Sequence, residues 1–181
     1  MTDPVVGRLT FTGVIGREPS TEELASVVSH YLMRLPEEVA QSSGYHVLEG
    51  VEELLLSLCR NGFLLGITTR AVEAAAHIKL ARAGLNRFFS FGGYGSDSAD
   101  RGELTRKAID RAGVILGSPL DPPRVLVLGD TPKDVAAAHS ANAIAVGVAS
   151  GHYGEVEREA GADYVLGSLT EELPGIGEAA P

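Results

Sequence analysis

Cysteine is nearly absent: Cys59 is the one thiol in the chain. A disulfide framework within the chain is therefore impossible, a cysteine metal site is not expected, and Cys59 itself reads as a small buried hydrophobe. Basic side chains are in deficit, 15 Lys and Arg against 24 Asp and Glu, for a formal net charge of −9. That balance argues against nucleic acid binding through a basic face. It leaves room for a small anion, because a bound divalent cation inverts the local field. No apolar run reaches transmembrane length, and Met1-Thr2-Asp3-Pro4 does not open a signal peptide, so the expectation is a cytoplasmic protein with no membrane partner. The histidines His30, His46, His77, His139 and His152 lack metal-ligand spacing and read as surface or packing residues. No segment is low-complexity, and 181 residues suffice for one medium domain, or one domain with a small appendage, around a sizeable core.

What is present falls into two rhythms. Up to residue 47 the pattern is helical. Residues 3–15 carry Val5, Val6, Leu9 and Val14 at helical spacing, although Thr10, Phe11 and Thr12 favour a strand; a helix is expected there. Ser20 and Glu23 have capping-box spacing behind Pro19. Leu24, Val27, Val28, Tyr31, Leu32, Leu35 and Val39 then recur as one apolar stripe. Ser42, Ser43 and Gly44 read as a linker.

From residue 48 the pattern alternates. A short helix carries Val51, Leu54, Leu55 and Leu58 and stops at Asn61-Gly62. The continuous apolar run 63–69 reads as a buried parallel strand. Further helices are expected over 71–83, 103–112, 134–141 and 154–160, and further strands over 88–91, 125–128, 143–148 and 164–166. Asp100 is the expected cap of the helix at 103, and the tail after Leu173 shows no periodicity. Strands alternating with helices at this spacing predict an α/β fold with a doubly wound parallel sheet. Right-handed crossovers then gather the strand C-terminal ends on one edge, where ligands bind.

Two strand ends carry chemistry. Thr68-Thr69-Arg70 offers hydroxyls beside the N–H groups of a following helix start, a setting for phosphate oxygens, or else two β-branched residues that merely end a strand. Gly129-Asp130-Thr131-Pro132-Lys133-Asp134 sets two acids four residues apart at the tip of the most apolar strand. Carboxylates so placed suit Mg²⁺, which takes one or two of them together with water and substrate phosphate. As an alternative, Asp130 caps the helix and Asp134 complements its dipole. A cap does not account for Gly129, nor for both acids standing at the ligand edge.

The ordered set resembles the haloacid-dehalogenase-like phosphatases, and most of all their phosphoglycolate-phosphatase-like branch. Leu65-Gly66-Ile67-Thr68-Thr69 looks like the second motif of that family, residues 92–101 like the loop leading to its third, and residues 129–134 like its fourth. Leu48-Glu49-Gly50 resembles the return from the helical cap into the core, and Met1-Thr2-Asp3-Pro4 resembles a segment inside that cap. The resemblance implies a Rossmann-like core over 48–181 with a partial helical cap over 1–47. It implies phosphoryl transfer from a small phosphorylated metabolite through an aspartyl-phosphate, with Mg²⁺ as cofactor. Thr69 would hold a phosphoryl oxygen, with Thr68 and Arg70 beside it. Asp130 would hold Mg²⁺, and Asp134 would support it directly or through water. The basic residue of the third motif, a lysine in most relatives, would be Arg101, with Lys107 behind it.

One part of the pattern has no counterpart. The family's first motif is an apolar strand ending in Asp-x-Asp-Gly-Thr, which supplies the nucleophile and lies between the strands ending at Thr69 and Asp130. Asp3, Asp97 and Asp100 do not replace it. Without that strand about four buried apolar side chains are missing, at roughly 1.5–3 kcal/mol each, and two facing strand edges stay unpaired. The expectation is that the recorded start lies inside the family pattern; next in order come a strand from another chain and filling by residues near 9–15. The chain therefore reads as inactive alone, as a monomer or homodimer. The alternative is a non-catalytic relative that binds phosphate and Mg²⁺, or a partner. A dinucleotide-binding oxidoreductase is a weak third, since Gly92-Gly93-Tyr94-Gly95 lacks the fingerprint's spacing.

Overall fold

A computed structural model describes residues 1–120, 124–149 and 161–173. The chain opens with two helices, α1 (Asp3–Ile15) and α2 (Thr21–Gln41), joined through Gly16 in the left-handed region, where the missing Cβ removes the steric cost. Ser20 and Glu23 close the expected capping box: Glu23 N–H donates to Ser20 Oγ at 3.2 Å, and Ser20 N–H to Glu23 Oε2 at 2.9 Å. Hydrogen bonds from Arg17 and then from the Ser20 backbone pull the Glu23 carboxyl down to about 2. Thr10, Phe11 and Thr12 are helical after all: residues 9–15 belong to α1, which packs on α2, and do not complete a sheet.

Helix α3 (Val51–Arg60) and strand β1 (Gly66–Thr68) follow, then α4 (Glu73–Ala81), a 3₁₀ turn (Leu85–Phe88) and β2 (Phe91–Gly93). Helix α5 (Arg101–Leu116), β3 (Leu126–Gly129), α6 (Pro132–Ser140), β4 (Ile144–Val148) and β5 (Tyr164–Leu166) complete the described elements. Every strand pair is parallel. The alternation expected from sequence is thus the architecture found, with local corrections. The strand expected at 88–91 forms three residues later, because Leu85–Phe88 coils into the 3₁₀ turn. Gly93 permits this: a Cβ there would lie 1.9 Å from the Leu104 carbonyl oxygen, so only glycine lets β2 press against α5. Helix α5 runs past 112 to Gly117, whose left-handed conformation ends it. Cys59 is exposed rather than buried, since the inward stripe of α3 is Leu54 and Leu58, and Cys59 points about 100° away from it. The expected helix over 154–160, His152 and the tail after 173 lie outside the described residues.

The strands form two ladders, β1-β2 and β3-β4-β5. β1 and β3 are not hydrogen-bonded to each other among the described residues, and a shared hydrophobic cluster links them instead. Leu65, just before β1, packs in the same cluster as Leu126 and Leu128 of β3, over Leu54 and Leu58 of α3. Helix α5 packs on β1 and β2 and also on α6, which covers β3 and β4. Leu35 of α2 shares one cluster with Ala71, Val72, Ala75, Ala76 and Tyr94, which is how the helical pair meets the α/β part.

Candidate functional site

The site is assembled from the ends of β1 and β3 and the start of α5. At the first end, Thr69 N–H donates to Gly93 O at 2.9 Å and extends the ladder by one residue. Thr69 Oγ1 accepts from Ala71 N–H at 3.2 Å, which turns the chain into α4. Thr69 is half-buried, while Thr68 and Arg70 are exposed. This turn has an unexpected support. Asp3 N–H donates to Arg70 O at 3.0 Å, and Asp3 Oδ2 accepts from Val72 N–H at 3.0 Å. The N-cap residue of α4, Val72, has no capping side chain, so a carboxylate 69 residues away in sequence satisfies the free N–H. Thr2, beside it, is 1% exposed.

At the second end, Thr131 rather than Asp130 is the N-cap of α6. Asp134 Oδ2 accepts from Thr131 Oγ1 at 2.7 Å and from Thr131 N–H at 3.2 Å. Gly129 now has its reason: a Cβ at that position would lie 2.2 Å from the Cβ of Asp134, so glycine lets the acid fold back onto the strand tip. Asp130 remains exposed.

Arg101 joins the two ends. It is the first residue of α5, set by Asp100, whose Oδ1 accepts from Glu103 N–H at 2.9 Å. Its guanidinium forms an ion pair with Asp134 Oδ1, the two side chains being 29% and 14% exposed. Burial and the like charge of Arg70 lower the proton affinity of Arg101, and Asp130 opposes them. Arg70, Arg101, Asp130 and Asp134 therefore share one electrostatic neighbourhood spanning both strand tips. Such a cluster can bind an oxyanion through the arginines and present Asp130 to a cation.

Lys107 stands elsewhere. It is exposed, and its charge helps hold the Asp97 carboxyl below the usual range, though hydrogen bonds from Arg111 at 2.6 and 2.8 Å dominate. Asp97 also accepts from Tyr94 N–H at 2.8 Å. Among the histidines, His77 bonds Asn86 at 3.0 Å and His139 bonds Asp163 at 3.1 Å. No group of three or more His, Cys, Asp or Glu side chains suited to a metal ion occurs among the described residues. No described helix is long and apolar enough to cross a membrane. The Thr-x-x-Asp spacing at 131–134 carried a local signal for the cap found there. The contact of Asp3 with Val72 and the pairing of Asp97 with Arg111 have no local signature.

A family model of haloacid dehalogenase-like hydrolases matches residues 10–148. No curated protein matches the chain by sequence. Among solved structures, the fold is similar to that of CbbY from Rhodobacter sphaeroides in complex with phosphate, at TM-score 0.66 and 20% identity over 85% of this chain and 68% of that one. A hydrolase from Pseudomonas syringae gives TM-score 0.66 and 20% identity over 99% of this chain and 80% of that one. A predicted phosphoglycolate phosphatase from Haemophilus somnus gives TM-score 0.66 and 19% identity over 93% and 75%.

Proposed function

This chain belongs to the haloacid dehalogenase-like hydrolase family, and from that premise we propose that it supplies the phosphate- and Mg²⁺-binding part of a phosphomonoester hydrolase site. The observation that carries the proposal is Arg101, poised between the ends of β1 and β3 beside Arg70, Asp130 and Asp134. In this reading Arg101 and Arg70 neutralise the phosphoryl oxygens of a small phosphorylated metabolite, and the Thr69 hydroxyl, with Thr68 next to it, donates to them. Asp130 is the direct Mg²⁺ ligand and Asp134 supports it. The residue types suit Mg²⁺: Asp130 is an exposed carboxylate, and Asp134, four residues on, is a second one, now engaged by Thr131 and Arg101. When bound, Mg²⁺ supplies charge stabilisation to the transferring phosphoryl group.

The attacking carboxylate is a separate matter. Asp3 caps α4, Asp97 is gripped by Arg111, and Asp100 caps α5, so each is committed elsewhere. Among the described residues no strand pairs with the second edge of β1 or of β3, which supports a central strand missing from between them, the strand on which a nucleophilic aspartate would stand. The described residues therefore bind without turning over, which also accommodates a non-catalytic phosphate-binding relative. Two measurements test this. Mg²⁺ with inorganic phosphate should raise the melting temperature by several degrees, since ligand at about 100 Kd stabilises by roughly 2.7 kcal/mol; no shift in folded protein refutes the binding site. Hydrolysis of p-nitrophenyl phosphate should stay at background. Turnover abolished by Asp130→Asn would mean that a described residue is the nucleophile after all.

A further inference from the structure

We propose that the Arg101–Asp134 ion pair is a latch that makes the site take its anion first, phosphate at Arg101 being what frees Asp134 for the cation. The inference rests on the phosphate and Mg²⁺ site proposed above and adds an order of binding and a positioning role for Asp134. Both oxygens of Asp134 are engaged: Oδ2 by the N–H and hydroxyl of Thr131, and Oδ1 by Arg101. A cation that needs Asp134 must displace one of these partners. Thr131 is a poor one to lose, because its hydrogen bonds form the first turn of α6. Arg101 is the mobile one, on a long side chain with five donors.

Displacing Arg101 without replacement is costly. The guanidinium is partly buried and feels the like charge of Arg70, against which Asp130 would be the opposing charge left to it among the described residues. A phosphate removes that cost. Its oxygens take the guanidinium in a bidentate grip in place of the carboxylate and neutralise Arg70 as well. Asp134 Oδ1 is then released beside Asp130, next to a phosphate oxygen, and the three together make the cation site. By linkage the coupling is reciprocal: cation bound at Asp134 strengthens phosphate binding by the same factor.

Isothermal titration of folded protein with inorganic phosphate and with MgCl₂, singly and together, tests the latch. In wild type, saturating phosphate should tighten Mg²⁺ binding roughly tenfold. Asp134→Asn removes the competitor for Arg101, so phosphate alone should bind about fivefold tighter than to wild type, and the coupling to Mg²⁺ should shrink to the part that direct contact of cation and phosphate supplies. Asp130→Asn removes the same charge from the same mouth without touching the pair, and should move phosphate affinity by less. Arg101→Gln frees Asp134 from the other side and keeps the Thr131 cap: Mg²⁺ alone should bind tighter, and phosphate weaker. Equal effects of Asp134→Asn and Asp130→Asn would reduce the pair to bulk charge and overturn the proposal. So would Mg²⁺ and phosphate that bind wild type independently, with the underlying site left standing. Binding of neither ligand, alone or together, would overturn both.

Discussion

Replacing Asp3 by alanine probes the contact by which the helical pair reaches the site. The carboxylate does two things. It accepts from Val72 N–H at 3.0 Å and so caps α4, and it sits in the first turn of α1, where a negative charge complements the helix dipole. Losing a cap costs about 0.5–2 kcal/mol, and losing the dipole interaction roughly 0.3–1 kcal/mol. The sum is about 1–3 kcal/mol. The Asp3 N–H bond to Arg70 O is backbone and survives the change. For a domain of this size each kcal/mol moves the melting temperature by roughly 2–4 °C, so Asp3→Ala should melt about 2–12 °C below wild type. Asp3→Asn keeps an acceptor and should recover more than half of the loss. Circular dichroism melts give the shift, and hydrogen exchange gives its location: protection should fall first at Val72 and along the first turn of α4, next to Thr69 and Arg70. A melt within about 0.5 kcal/mol of wild type, the usual span of a surface substitution, with unchanged protection at Val72 would refute the reasoning. The capping bond would then be absent in solution.

Two further perturbations follow from the same geometry. Gly129→Ala sets a Cβ 2.2 Å from that of Asp134, so the acid must move; a destabilisation of about 1–3 kcal/mol by denaturant titration is expected, with loss of the Mg²⁺ and phosphate melting shift. Asp97 supplies a pH dependence. Arg111 holds its folded carboxyl below the usual range, so its stabilisation is present above the unfolded value near 4 and is lost as pH falls through the folded one. Asp97→Asn should therefore be less stable than wild type at neutral pH, and the gap should close as pH drops below about 4 in urea titrations.

What was legible in the sequence was local. Ser20 and Glu23 sit three residues apart and identify their own helix start. The run Leu126–Gly129 carries its strand character in its own side chains, and the acids after it stand on the next turn. The class of fold followed from that alternation, and the family from the ordered motifs. The errors came where a neighbour decided the outcome. Gly92 and Gly93 have no strand propensity, and β2 exists there because α5 presses against a residue without a Cβ. The helix expected over 103–112 runs on to Leu116: Gly113 lies buried against Ser118 and Pro119, and the helix passes through it. Asp3 was set aside because no strand precedes it, whereas its role depends on Val72, which no window along the chain brings near.

The Arg101–Asp134 pair also has a mechanical meaning. Arg101 belongs to α5, which lies on β1 and β2, while Asp134 belongs to α6, which lies on β3 and β4. With no hydrogen bond joining β1 to β3 among the described residues, the two ladders are held together by helices and by contacts such as this one. Gly102 lets α5 and α6 meet closely, since a Cβ there would lie 2.1 Å from Ser140 Oγ, and Arg106 donates to Ser140 O at 2.6 Å. A partly buried pair bridging two bodies contributes to their alignment only while both partners stay matched, because each charge left alone carries its own desolvation penalty. Arg101, the side chain proposed to grip an oxyanion, is thus also one that stitches the two ladders. A ligand that opens the stitch must close it again through itself, so phosphate bound across Arg70 and Arg101, as proposed, should stabilise the whole fold and not the pocket alone.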